Sequence, residues 1–156
     1  MSLPPLVHYQ TEAEYRAHYM SVYCRRKIET HDKIPVYFKP QKFEHAFYEG
    51  TGKCKFSPPR AQRIDWVKAT LENSQATLYQ GWHKDKKIYV PDRRVSFVYE
   101  SFVVVIDLFL GNTQSLKGNF VTCYMADQSI KKITSSPIWS MKECIESLIK
   151  TGKIGR

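Results

Sequence analysis

Acidic residues are scarce in this 156-residue chain: 15 Asp and Glu stand against 24 Lys and Arg, giving a formal net charge of +9 at pH 7. That scarcity argues against a metal-dependent hydrolase, whose site gathers several carboxylates around hard cations. No HxH or HExxH spacing occurs either, so neither a metal nor another cofactor is expected. The four cysteines, Cys24, Cys54, Cys123 and Cys144, contain no CxxC pair. A zinc ribbon is thereby excluded, and reduced thiols in a cytoplasmic protein are the expectation. Long hydrophobic runs are missing too. The longest, Phe102 to Ile106, is broken by Asp107, far short of the roughly 20 residues a membrane-spanning helix needs. The opening MSLPPLVHYQTE has neither the positive start nor the apolar stretch of a secretory leader. No membrane partner is expected.

What is present describes one folded domain over residues 1–156. The length suits a single hydrophobic core, and 42% apolar with 13% aromatic residues excludes disorder. The basic surplus points to an anionic partner such as nucleic acid. It is spread along the chain with no basic tail, so a binding face has to be assembled by folding.

Residues 11–29 read as a helix. Thr11 and Glu14 form a capping box, Tyr15, Tyr19, Val22 and Tyr23 make an apolar stripe, and Arg25, Arg26 and Lys27 complement the dipole in the last turns. Ile34–Phe38, bracketed by Pro35 and Pro40, suggests a loop or edge strand. Phe43–Tyr48 is a short helical piece stopped by Gly50-Thr51-Gly52. The GTGKC string that follows is not a phosphate loop, because Phe47 and Cys54 stand where Gly and Ser or Thr are required. Ser57 caps a second helix opened by Pro58 and Pro59 and running from Arg60 to Leu71. Strands follow: Thr77–Trp82 and Lys87–Val90 around a loop at 83–86, a turn at Pro91–Arg94, a long central strand from Phe97 to Leu110, and Asn119–Met125. Ser140 and Glu143 begin a last helix that Gly152 stops. The expected fold is α+β: N-terminal helices (about 1–73) packed on an antiparallel sheet of about four to five strands (about 76–126), with a C-terminal helix (about 140–151).

Three sets of residues carry candidate chemistry. The Ser57 helix offers Arg60 and Arg63 one turn apart at its start, with Lys53 and Lys55 just before, an arrangement suited to holding phosphate. Alternation along the last strand puts Phe120, Thr122 and Tyr124 on one face and Val121, Cys123 and Met125 on the other. The hydroxyl face suits a ligand, and the other suits a core. Among the five histidines, His45 lies between Phe43 and Phe47 shortly before the basic segment, where its proton affinity can be tuned near neutral pH. Each set also has a plain structural reading: solvated helix surface, good strand formers, an ordinary half-buried side chain.

Taken in order, FEHAFYE, SPPRAQRIDWVKATL, a tyrosine-bearing hairpin, a long hydrophobic strand and FVTCYMAD form a pattern over roughly residues 43–139. It resembles the phage-associated nucleases of the barnase, bacterial EndoU, colicin tRNase and RelE (BECR) superfamily. The resemblance implies helices against a four-stranded antiparallel sheet and RNA cleavage without metal. It also implies His45 as general base or acid, Arg60 and Arg63 as the R-x-x-R pair with one holding the scissile phosphate, and Thr122 and Tyr124 as the T-x-Y of the last strand. Cys123 departs from the small residue commoner between those two positions.

The implied activity is a phage-encoded or toxin-like, metal-independent endoribonuclease working by attack of the RNA 2′-OH on its own phosphate. His45, Arg60 and Thr122 would be catalytic, and Arg63, Tyr124, Lys53, Lys55 and Tyr89 would bind substrate. RNA, including tRNA, and an immunity or antitoxin protein are the implied partners. Action would be in the cytoplasm, or in a target cell reached within a larger phage or toxin assembly. The alternative is a non-catalytic nucleic-acid-binding module of a phage or regulatory complex. It would use the Lys and Arg surface with exposed Tyr79, Trp82 and Tyr89.

Overall fold

The computed structural model describes residues 2–151; Gly152, the expected helix stop, lies outside them. The architecture is α+β, with N-terminal helices, a six-stranded mixed sheet, a small two-stranded sheet and a C-terminal helix. Helix α1 (Glu12–Tyr19) starts at the Thr11–Glu14 capping box. It passes directly into a π-helical turn, Met20–Cys24. The helix therefore ends at Cys24 and not near residue 29. The basic triplet Arg25–Lys27 lies just beyond it, and Ile28–Glu29 is a short strand, β1.

Strand β2 (Pro35–Tyr37) pairs on both sides, antiparallel to β1 and parallel to the strand Leu116–Met125, so it is not a sheet edge. Its proline sits at the first strand position, where a missing N–H is tolerated. Next come α2 (Lys42–Phe47), a two-stranded ribbon of β3 (Tyr48–Glu49) and β4 (Lys55–Phe56), then α3 (Pro58–Ala61) and α4 (Ile64–Glu72). The expected single helix from Arg60 to Leu71 is thus split at Gln62–Arg63.

Strands β5 (Thr77–His83), β6 (Ile88–Tyr99), β7 (Phe102–Leu110) and β8 (Leu116–Met125) form an antiparallel meander, and the sheet order is β1-β2-β8-β7-β6-β5. Two sequence expectations change here. Phe97–Leu110 is a hairpin: Tyr99 pairs with Phe102 across Glu100-Ser101, and Glu100 takes φ 54°. Pro91–Arg94 is not a turn but a four-residue excursion inside β6, since Gly81 of β5 pairs with Val90 while the adjacent Gln80 pairs with Val95. Gly81 permits that irregularity: a Cβ there would lie 2.6 Å from the Cβ of Arg94. The exposed side of β5 is covered by Pro137–Trp139, with Gln80 N–H donating to the Pro137 carbonyl at 2.8 Å and Trp139 N–H to that of Leu78 at 2.9 Å.

One face of the sheet carries the main core. Tyr19, Phe43, Phe47, Ile64 and Leu71 from the helices meet Phe97, Val104, Ile106 and Phe120 from the strands, and Leu148 of α6 (Met141–Thr151) closes the layer. The other face has a smaller cluster, Tyr79, Val98, Val103, Val105 and Val121, beneath α5 (Ile130–Thr134), so Tyr79 is buried and not the exposed aromatic expected from the sequence. A bulge decides how β8 divides between the faces. Val105 pairs with Thr122 and Ile106 with Phe120, leaving Val121 as the extra residue. Simple alternation therefore fails for two side chains. Phe120 joins Cys123 in the main core, and Val121 lies with Tyr124 on the opposite face.

The N-terminal segment is tied down by side chains. Tyr15 donates its hydroxyl to the Val7 carbonyl, Trp66 donates to that of Pro4, and His18 bridges the Tyr9 hydroxyl (2.8 Å) and Asp65 (2.7 Å).

Candidate functional site

The site is built where β8 runs out of neighbours. Strand β2 pairs with β8 only at Gly118 and Asn119, so from Phe120 onward the outer edge of β8 lies against α2. A sheet edge left this way carries unpaired backbone groups that need other partners. Arg60 supplies one. Its Nη2 donates to the Cys123 carbonyl at 2.7 Å, and its Nε donates to the Ala46 carbonyl of α2 at 2.9 Å. Ser57 caps α3 by accepting the Arg60 N–H, which sets the backbone from which this side chain reaches β8. A guanidinium has five N–H donors, so clamping two carbonyls leaves three for an anion.

Beside that clamp, the Thr122 hydroxyl lies 3.4 Å from the His45 carbonyl. The His45 side chain is exposed, on the last turn of α2. Partial desolvation, then the positive fields of Lys42, Lys53, Arg94 and Arg60, hold its pKa below the ordinary 6.5. The imidazole is therefore largely neutral at pH 7, with cations on several sides. Lys53 belongs to the same cluster. It sits at φ 55° in the turn between β3 and β4, and partial burial followed by repulsion from Arg60 lowers its ammonium pKa. Arg94 reaches this field from β6, where it is paired with Asp107 of β7 at 2.6 Å.

On the other side of the Arg60 clamp lies a cleft of about 280 Å³, lined by Arg60, Arg63, Tyr124, Ser57, Glu49 and Asp127 among others. Arg63 donates to the Pro59 carbonyl, stacks over Trp66 at 5.1 Å, and leaves its buried Nε without a partner. Burial raises the Tyr124 pKa, which keeps the phenol protonated. Two carboxylates line this cleft, so its positive potential is smaller than the arginines alone would give.

The sequence-derived candidates thus separate into three places. His45, Arg60, Thr122 and Lys53 come together at the α2–β8 edge. Arg63 and Tyr124 line the adjoining cleft, which Arg60 shares and the His45 ring does not. Lys55 is exposed on β4 and lines neither this cleft nor the groove that holds Tyr89, which lies on the other face of the sheet beside Trp82 and Tyr124. Sequence reading missed Lys42 and Arg94. Lys42 stands one helical turn before His45 and was visible at that spacing. Arg94 arrives through strand pairing and has no local signal. Among the described residues no group of three or more His, Cys, Asp or Glu side chains is placed to hold a metal ion, and no helix is long and apolar enough to cross a membrane.

Comparison of the chain with protein-family models, curated proteins and solved structures returns no match.

Proposed function

We propose that this protein is a metal-independent endoribonuclease of the BECR kind, cleaving RNA by transesterification. What supports the reading is the placing of His45 among Lys42, Lys53, Arg94 and Arg60, whose positive fields, after partial burial, lower its proton affinity, with Arg60 anchored between two backbone carbonyls. Such a base takes the proton from an RNA 2′-OH, whose oxygen attacks the adjacent phosphorus. The O2′–P bond forms, the P–O5′ bond breaks, and the product strand ends in a 2′,3′-cyclic phosphate. The remaining Arg60 donors and Lys53 hold the negative charge that builds on the phosphoryl oxygens. Thr122 positions the phosphate, the leaving 5′-oxygen takes its proton from water, and Tyr124 binds the strand in the adjoining cleft. Arriving phosphate also offsets the surrounding cations and raises the proton affinity of His45, which makes it a stronger base in the complex. The four free thiols fit action in a reducing cytoplasm, and an immunity or antitoxin protein would complete the system as its inhibitor.

The test is incubation with total RNA and with tRNA in EDTA, beside His45→Ala. Cleavage leaving cyclic phosphate ends, slowed at least about 100-fold in the variant, is the expected result. Intact RNA, or equal cleavage by both proteins, overturns the assignment.

A second reading, a non-catalytic nucleic-acid-binding module, is favoured by one observation. The His45 ring makes no side-chain hydrogen bond among the described residues and stands outside the cleft that Arg60, Arg63 and Tyr124 line. A catalytic histidine is usually oriented by a partner on its second nitrogen. Under this reading RNA is retarded by the protein and remains intact.

A further inference from the structure

A groove of about 320 Å³ opens on the sheet face opposite the main core, bounded by β5, β6, the end of β8 and α5. Trp82 and Tyr89, directly paired across β5 and β6, stand at a centroid distance of 5.0 Å with their rings inclined by 72°. Trp82 is 49% exposed although it is among the largest apolar side chains in the chain, so an open aromatic surface faces solvent. Gln80 and Ser129 add amide and hydroxyl groups able to meet the edge of a planar ring. Lys132 lines the same groove, and Lys84, Lys86 and Lys87 occupy the turn that joins the two aromatic strands.

Tyr124 gives this groove its meaning, because it lines both the groove and the Arg60–Arg63 cleft. One side chain thus separates an arginine-lined cleft from an aromatic groove with a cationic wall. A single strand crossing Tyr124 would meet arginines on one side and aromatic rings on the other, the two kinds of group that hold phosphate and base.

We propose that the Trp82–Tyr89 groove is a base-stacking subsite for single-stranded RNA, taking an unstacked nucleobase a few nucleotides along the strand from the phosphate held at Arg60 and Arg63. The proposal rests on the reading of that cleft as a phosphate site. It adds a substrate class: a base must leave its duplex stack to lie on Trp82, so unpaired segments and loops bind and continuous duplex does not.

The test uses the His45→Ala protein, in which any cleavage should be slowed at least about 100-fold, and fluorescence anisotropy of labelled oligonucleotides. The probes are a decamer of single-stranded RNA, the same decamer annealed to its complement, and a decamer with abasic sugars at successive positions. The expected order is single strand tightest. Trp82→Ala should weaken it at least about fivefold and leave the abasic decamer unaffected. Trp82→Phe, which preserves a stacking ring, restores most of the affinity and separates stacking from any loss of hairpin structure. Equal affinity for intact and abasic strands, no effect of Trp82→Ala, tighter binding of duplex, or no binding of any probe overturns the subsite. Failure of the nuclease reading has a different signature: wild-type protein leaves RNA intact in EDTA while base-dependent binding persists.

Discussion

Arg60 holds the β8 edge through two backbone carbonyls and, in the proposed reading, also presents donors to phosphate; replacing it measures the first role. Arg60→Ala removes the donors to the Ala46 and Cys123 carbonyls, at 2.9 and 2.7 Å. A hydrogen bond from a charged group contributes about 1.5–3 kcal/mol. Both bonds are only partly buried, so water takes over some of the lost pairing and the low end applies. The expected destabilisation is about 3 kcal/mol for the pair, or a fall of about 6–12 °C in melting temperature for a chain of this length. Arg60→Lys places one ammonium where a fork met two acceptors and should recover about half of the loss. Urea unfolding followed by circular dichroism reads the difference as a shift in midpoint at unchanged slope. If Arg60→Ala unfolds within about 0.5 kcal/mol of wild type, the clamp contributes nothing and the structural account of this edge is refuted. The same measurement sets the temperature at which Arg60 variants can be compared in the RNA assay that tests the proposed function.

Three further outcomes follow from the site and its surroundings. His45 is held below 6.5 in the folded protein, so the unfolded chain binds its proton more readily; stability should rise with pH from the folded pKa up to about 6.5, and His45→Gln should flatten that rise in pH-dependent urea unfolding. An unchanged slope in the variant would refute the role of the cation cluster. Gly81→Ala would force a Cβ to 2.6 Å from that of Arg94 and should cost about 1–3 kcal/mol, read by thermal melting; a neutral effect would mean that the β6 excursion yields freely. Among the four thiols, exposed Cys54 should react first with a disulfide reagent. Buried Cys123 and Cys144, each pushed up to about 12 by desolvation, should react only on unfolding, and early labelling of either would contradict the core packing.

Signals written in consecutive residues were legible. The Thr11–Glu14 capping box, the Ser57 cap with its two prolines, and the Ser140 start of the last helix all operate within one turn of chain, and all are present. Turn chemistry was less informative where the chain broke its own rules. Glu100 adopts φ 54° with none of the Gly or Asn that normally announces such a turn, so two strands read as one. Conversely, Pro91–Arg94 carried a turn signature and spent it on a bulge, because β7 continues to pair with Arg94 after β5 has let go.

By itself the sequence determined the class of the fold, helices before strands before helix, and the positive balance that favours an anionic partner. Those depend on local periodicity, capping and composition. Only the tertiary structure decided where β2 stops along β8, and with it the free edge that Arg60 closes and His45 overlooks. Only the bulge at Val121, a property of the β7–β8 register, exchanged the faces of Phe120 and Val121. Arg94 came to His45 and Tyr124 came to stand between two clefts for the same reason: strand pairing joins residues that no spacing along the chain relates.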